Sequence, residues 1–226
     1  MSGVTATKAL RAALEKECEQ RLAGLGFYRG RRPSLLIDLV PGFRGTFVPI
    51  WKPYSRHVVV GLYPSVGVID LVLEAEIGQR GGRLAPSYST YQTPLLNVIP
   101  VSAFPQDSAE IWFDNGPEGR RAMDWFIETM SSTAVPWMRR WTEDGRLAAE
   151  ILRLDDLSGT ADDFRIGAQA PLLELRRGEP NRALARLERH VFAMKGRRDA
   201  IGDGYRAFAT ALRAELVAIG DAKPEA

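Results

Sequence analysis

One cysteine, Cys18, stands in 226 residues. It has no partner for an internal disulfide, which fits a reducing compartment. Only two histidines, His57 and His190, are present. Two His cannot build most zinc sites without carboxylates or further cysteines. No apolar run reaches the ~18 residues that a membrane-spanning helix requires. The opening segment, MSGVTATKALRAALEKECEQ, lacks an apolar signal core, so neither signal peptide nor membrane contact is expected and the cytoplasm is the expected location. No G-x-x-x-x-G-K-[ST], H-E-x-x-H or G-x-S-x-G occurs, which removes the commonest phosphate-loop, zinc-protease and esterase signatures. The glycines at 24, 26 and 30 form G-x-G-x-x-x-G after a helix. The dinucleotide fingerprint is one residue shorter and follows a strand.

The charge is nearly balanced, +2 overall, which argues against nucleic acid as the partner. Arginines outnumber lysines twenty-five to five. That bias fits phosphate or carboxylate recognition, and fits a GC-rich codon supply as well. Hydrophobic content of 45% and charged content of 26% are ordinary for a globular chain. The length suits one domain, or one domain with a helical extension.

Leu10, Leu14, Cys18, Leu22 and Leu25 recur at helical spacing, which predicts a first helix from Thr5 or Thr7 to Gly24. Cys18 lies in that stripe and reads as a small buried hydrophobe. Strands are expected at Phe27–Tyr28, Ser34–Val40, Thr46–Trp51, Val58–Tyr63 and Glu110–Asp114, with weaker signals at Tyr88–Tyr91 and Leu95–Ile99. Short turns between them imply an antiparallel meander. Pro64-Ser65-Val66-Gly67 reads as a turn into a helix over Val68–Gln79, followed by an exposed loop, Arg80–Pro86. A helix capped by Asn115 begins at Pro117 and breaks at Pro136, and further helices are centred on Leu147–Leu154 and Phe164–Arg177. The helices bearing Leu184–Met194 and Tyr205–Ile219 form a hairpin. The run DDLSGTADD (155–163) reads as a polar linker. The expectation is therefore an α+β protein: an antiparallel sheet with helices on one face over 1–155, then a helical segment over 164–222.

Candidate functional residues carry two readings each. Asp70 and Glu74 share a helix face and suit acid–base or metal chemistry, or simply complement a helix dipole. Arg29, Arg31 and Arg32 beside Phe27 and Tyr28 suit an anionic partner, or form a solvated turn. Trp137 and Trp141 share a face and suit either a core or an interface. Tyr88 and Tyr91 bracket a loop. His57 and His190 read as ordinary surface or boundary residues.

Five short segments together resemble a known group of proteins: LAGLGFYRGRR (22–32), LYPSVGVIDLVLEAEI (62–77), TPL (93–95), IWF (111–113) and VPWMRRW (135–141). They resemble uncharacterised bacterial proteins of the domain-of-unknown-function kind, over residues 5–155. Those proteins carry Arg-His after the valine-glycine-valine turn, where this chain has Ile69-Asp70. The resemblance implies no known reaction. Some relatives are encoded near toxins, which implies an immunity role.

The expectation is a non-enzymatic, cytoplasmic protein-binding protein with a toxin-like partner and no cofactor or metal. The candidate groups are Trp137, Trp141, Tyr88, Tyr91 and Arg29 to Arg32. The alternative is an enzyme or ligand-binding domain for an anionic molecule, using the arginines with Asp70 and Glu74.

Overall fold

Amphipathic patterning organises the computed structural model, which describes residues 3–30, 33–81, 89–105, 108, 110–158 and 164–221. The protein is α+β, as its sequence implies. By contacts the chain forms two units, Met1–Ile69 with Tyr91–Thr142, and Asp70–Thr90 with Glu143–Ala226.

The first unit begins with α1 (Gly3–Ala23), whose buried residues Leu10, Leu14, Cys18 and Leu22 are the expected stripe. The strands are β1 (Tyr28–Arg29), β2 (Leu35–Val40), β3 (Phe43–Tyr54), β4 (Val59–Asp70), β5 (Tyr91–Pro94) and β6 (Ile111–Phe113). They make one sheet in the order β1-β2-β3-β4-β5, and β6 also pairs with β4. One face carries Ile37, Phe47 and Phe113 against α1 and a long helical segment. Phe47 stacks on Phe126 of that segment at 5.4 Å between ring centres. Side chains alternate along a strand, so Ile50, Lys52 and Tyr54 of β3 project from the opposite face.

Pro64-Ser65-Val66-Gly67 is not a turn. β4 runs straight through it. β6 pairs with β4 up to Leu62, and β5 pairs with it from Ser65. Pro64 falls at the step between these partners, where that edge asks no ladder bond of it. The helix α2 (Leu71–Gln79) therefore starts later than its pattern suggests, with Asp70 as its cap. The weaker strand signal at Leu95–Ile99 is also corrected, because Leu95–Asn97 is a 3-10 turn after β5.

Pro136 does not break its helix either. α3 (Pro117–Thr129) passes through a five-residue π turn, Met130–Ala134, into α4 (Val135–Arg140). A proline ring collides with the carbonyl four residues earlier and donates no hydrogen bond. The wider turn just before Pro136 absorbs both defects. The start of α3 is capped by Asp114, not Asn115: its carboxylate accepts from the amides of Gly116 and Gly119 at 2.8 and 3.1 Å.

The second unit holds α2, α5 (Arg146–Ser158), α6 (Phe164–Arg176), α7 (Pro180–Ala193) and α8 (Ala200–Asp221). Successive helices from α5 to α8 pack side by side, so the expected hairpin is part of a larger helical stack. Its core includes Leu73, Ile77, Leu172, Leu187, Tyr205, Phe208 and Leu212. Asp155 to Ser158 are the last turn of α5, so at least this part of DDLSGTADD is helix, not linker. The remainder, 159–163, lies outside the described residues, as do positions 82–86 of the expected exposed loop.

The hairpin between β3 and β4 contains a local strain. Val58 has φ +51°, a left-handed conformation that β-branched residues strongly disfavour. Asparagine tolerates it far better. Val58→Asn should stabilise the protein by about 1 kcal/mol, read as a higher urea midpoint. A lower midpoint would contradict the strain.

Candidate functional site

The residues singled out in the sequence fall into separate clusters. In the second unit, Asp70 Oδ1 accepts from the amides of Val72 and Leu73 at 3.0 and 2.9 Å, the geometry of a helix cap. Arg176 pairs with Glu76 at 3.0 Å and reaches Asp70 at 3.5 Å. Glu74 Oε1 accepts from Thr90 Oγ1 at 2.8 Å and from buried Gln169 at 3.3 Å. Burial pushes the Glu74 carboxyl above the usual range, and the nearby Asp70 charge adds to this. Asp70 and Glu74 thus stand together at the start of α2, each engaged by neighbours of its own unit.

In the first unit, Tyr91, Trp137 and Trp141 form one aromatic cluster, with ring centres 4.8 to 5.9 Å apart. Trp137 is buried and the other two are half-buried. Arg29 is exposed and bound by Glu19, whose carboxylate lies 3.0 Å from its Nε. Burial pushes the Cys18 thiol up to about 12, consistent with the apolar role read from its stripe. Arg31, Arg32 and Tyr88 lie outside the described residues. No group of three or more His, Cys, Asp or Glu is placed to hold a metal among the described residues.

His190 is the clearest departure from expectation. It is not a surface residue: it is 1% exposed in the helical unit. Its Nε2 lies 2.6 Å from Asp155 Oδ1, and the Asp155 side chain has no exposed surface. Arg186 and Arg189 donate to the other oxygen of Asp155. An ionised carboxylate assigns the shared proton to Nε2 of His190. Nδ1 has no hydrogen-bond partner among the described residues and faces Gly167, where an added Cβ would sit 2.7 Å from it. Glycine is required there to let α6 approach the ring. Arg186 also binds Asp156 at 2.7 Å and Glu174 at 2.9 Å. Burial alone would raise the Asp155 carboxyl, but the hydrogen bonds from His190 and Arg186 prevail and hold it below its ordinary value.

A different arrangement lies on the sheet face opposite the helices of the first unit. Gly61 pairs with Trp112 across β4 and β6, and Tyr63 and Glu110 each lie two positions further along, on the same side as that pair. The Glu110 carboxyl folds over Gly61, filling the place of a side chain: a Cβ built there would lie 1.8 Å from Oε1. Glu110 is 3% exposed. Tyr54 Oη donates to both of its oxygens, each at 3.1 Å. Tyr54 also stacks on Trp112 at 4.7 Å, and Lys52 Nζ lies 4.1 Å over the Tyr63 ring. Burial and the bond to Glu110 raise the Tyr54 hydroxyl; for Tyr63 the bond to Glu110 is the larger cause.

The two buried carboxylates therefore differ in kind. Asp155 is met by three nitrogen donors, whereas Glu110 makes no ion pair among the described residues. A buried carboxylate served only by neutral hydroxyls is incompletely compensated. Sequence reasoning missed this site because its members lie on three strands. The available signal was the alternation within Glu110-Ile111-Trp112-Phe113, which sends Glu110 and Trp112 to one face and the apolar pair to the other. Comparisons of the chain with family models, with curated proteins and with solved structures yield no match.

Removing the Asp155 charge leaves half-buried Arg186 and buried His190 beside a neutral group. Asp155→Asn should cost about 3–5 kcal/mol, measured by urea denaturation at pH 7. Because the folded carboxyl lies below its unfolded value of about 3.9, its contribution is fully present above pH ~4 and disappears as pH falls through the lower, folded value. The gap between wild type and variant should narrow over that acid range. A gap of constant size would contradict the assignment.

Proposed function

We propose that this is a non-catalytic protein-binding protein whose docking face is the sheet surface around Glu110. The observation that carries the proposal is a nearly inaccessible carboxyl group, without a cationic partner among the described residues, bordered by Tyr54, Tyr63 and Trp112. Tyr and Trp are the residues that most often anchor protein interfaces. A carboxyl between aromatic rings suits the Lys or Arg side chain of a partner, since rings and acid both attract a cation. Ile50, half exposed at 50%, and exposed Lys52 extend the face along β3. Lys52 rests on Tyr63 through a surface contact and is displaced at modest cost.

The resemblance to proteins encoded beside toxins makes a toxin the partner class and the bacterial cytoplasm the setting. In that reading the face covers basic residues of the toxin's working surface, and the protein acts as an immunity factor. The alternative, a site for an anionic ligand built on Arg29, Asp70 and Glu74, has weaker support. Arg29 is engaged by Glu19, and Asp70 caps α2.

Affinity capture of the tagged protein with the products of its neighbouring genes tests the proposal. One stoichiometric protein partner is expected. Trp112→Ala should weaken that complex by roughly thirtyfold or more, the scale of a central interface anchor. Tyr54→Phe, which removes one hydroxyl, should have a smaller effect in the same direction. Failure to capture a partner, or a complex indifferent to Trp112→Ala in a folded variant, would overturn it.

A further inference from the structure

The helical unit carries a second site, independent of the sheet face. A surface cavity of about 390 Å³ is lined by Asp156, Glu174, Arg182, Ala185, Arg186 and Arg189. That volume lies in the range of small-molecule sites. Its polar groups are only partly used. Glu174 has a side chain 3% exposed; its Oε1 accepts from Arg186 Nε, while Oε2 is buried with no partner among the described residues. A buried acceptor left unpaired is costly and calls for a donor.

Donors are also in surplus. Arg186 uses Nε and Nη1 on Glu174, Asp155 and Asp156, and no bond from its Nη2 is seen among the described residues. Arg189 spends Nη2 on Asp155 and is 40% exposed. Arg182, exposed on α7, forms no ion pair among the described residues. The cavity thus offers an unpaired carboxylate oxygen to a cation or N–H group, and spare guanidinium donors to an anion.

We propose that this cavity binds a small zwitterion of the free α-amino-acid class. Its ammonium group donates to Glu174 Oε2 and to Asp156. Its carboxylate accepts from Arg182 and Arg189. Charge balance favours a zwitterion over a simple ion. Arginines 182, 186 and 189 line the cavity with Asp156 and Glu174, and the fully buried Asp155, bound to Arg186 and Arg189, balances the third charge, so a lone anion or cation would leave a net charge in the cluster and a zwitterion does not.

The test is calorimetric titration of the full chain with L-alanine, L-glutamine and L-phenylalanine, beside N-acetyl-L-alanine, L-alanine amide and inorganic phosphate. At least one free amino acid should bind saturably at or below about 10 mM. Blocking either charged end should weaken binding by about tenfold or more, the usual consequence of losing a charge-assisted hydrogen bond. Arg182 is exposed and makes no ion pair or side-chain hydrogen bond among the described residues. Arg182→Ala should therefore weaken binding by about tenfold while the melting temperature of the unliganded protein stays unchanged. No binding by any free amino acid, equal binding of the blocked analogues, phosphate binding as tight as the amino acids, or an unaffected Arg182→Ala variant would each overturn the proposal. None of these results touches the sheet face, whose readout is capture of a protein partner.

Discussion

A carboxylate taken out of water must be met by donors, and each unit is arranged around that requirement. In the helical unit, Asp155 sits at the end of α5 and gathers His190, Arg186 and Arg189 from α7. Arg186 then ties in Glu174 of α6. Three helices are locked together through one side chain, and ridge packing alone would leave their register far less determined. The glycine at 167 and the buried Tyr205, whose hydroxyl donates to the Gly167 carbonyl at 3.1 Å, complete the same layer.

In the sheet unit the requirement is met only in part. Glu110 occupies the space left by Gly61 and receives hydroxyl donors. Aromatic rings here surround an acid that makes no ion pair among the described residues, and the proposed binding face rests on that pairing. The contrast separates Asp155, met by charged donors, from Glu110, met by hydroxyls.

Much of the architecture was legible because it rests on local periodicity. The α1 stripe, the strand meander and the last two helices all follow from spacing that burial rewards directly. What was illegible depends on tertiary pairing. Pro64 and Gly67 look like a turn, yet β4 tolerates them because its two partner strands leave a step at Pro64. Pro136 looks like a helix end, yet a single π turn accommodates it. Asp155 and His190 look like a linker acid and a surface base, thirty-five positions apart, and only helix packing makes them partners. Of the residues chosen in advance, Tyr91, Trp137 and Trp141 do gather, and so do Asp70 and Glu74. Tyr54, Tyr63, Glu110 and Trp112 were overlooked because no stretch of sequence holds them together.

The five tryptophans make the central claim directly observable, since each indole N–H gives its own signal in a nitrogen–proton correlation spectrum. Trp112 reports the sheet face, Trp137 and Trp141 report the aromatic cluster with Tyr91, and Trp51 and Trp125 serve as references. The decisive measurement is this spectrum of the labelled protein with and without its captured partner. The account predicts that the Trp112 indole shifts or broadens strongly while the Trp137 and Trp141 signals hold. A complex that perturbs Trp137 and Trp141 and leaves Trp112 untouched would contradict it.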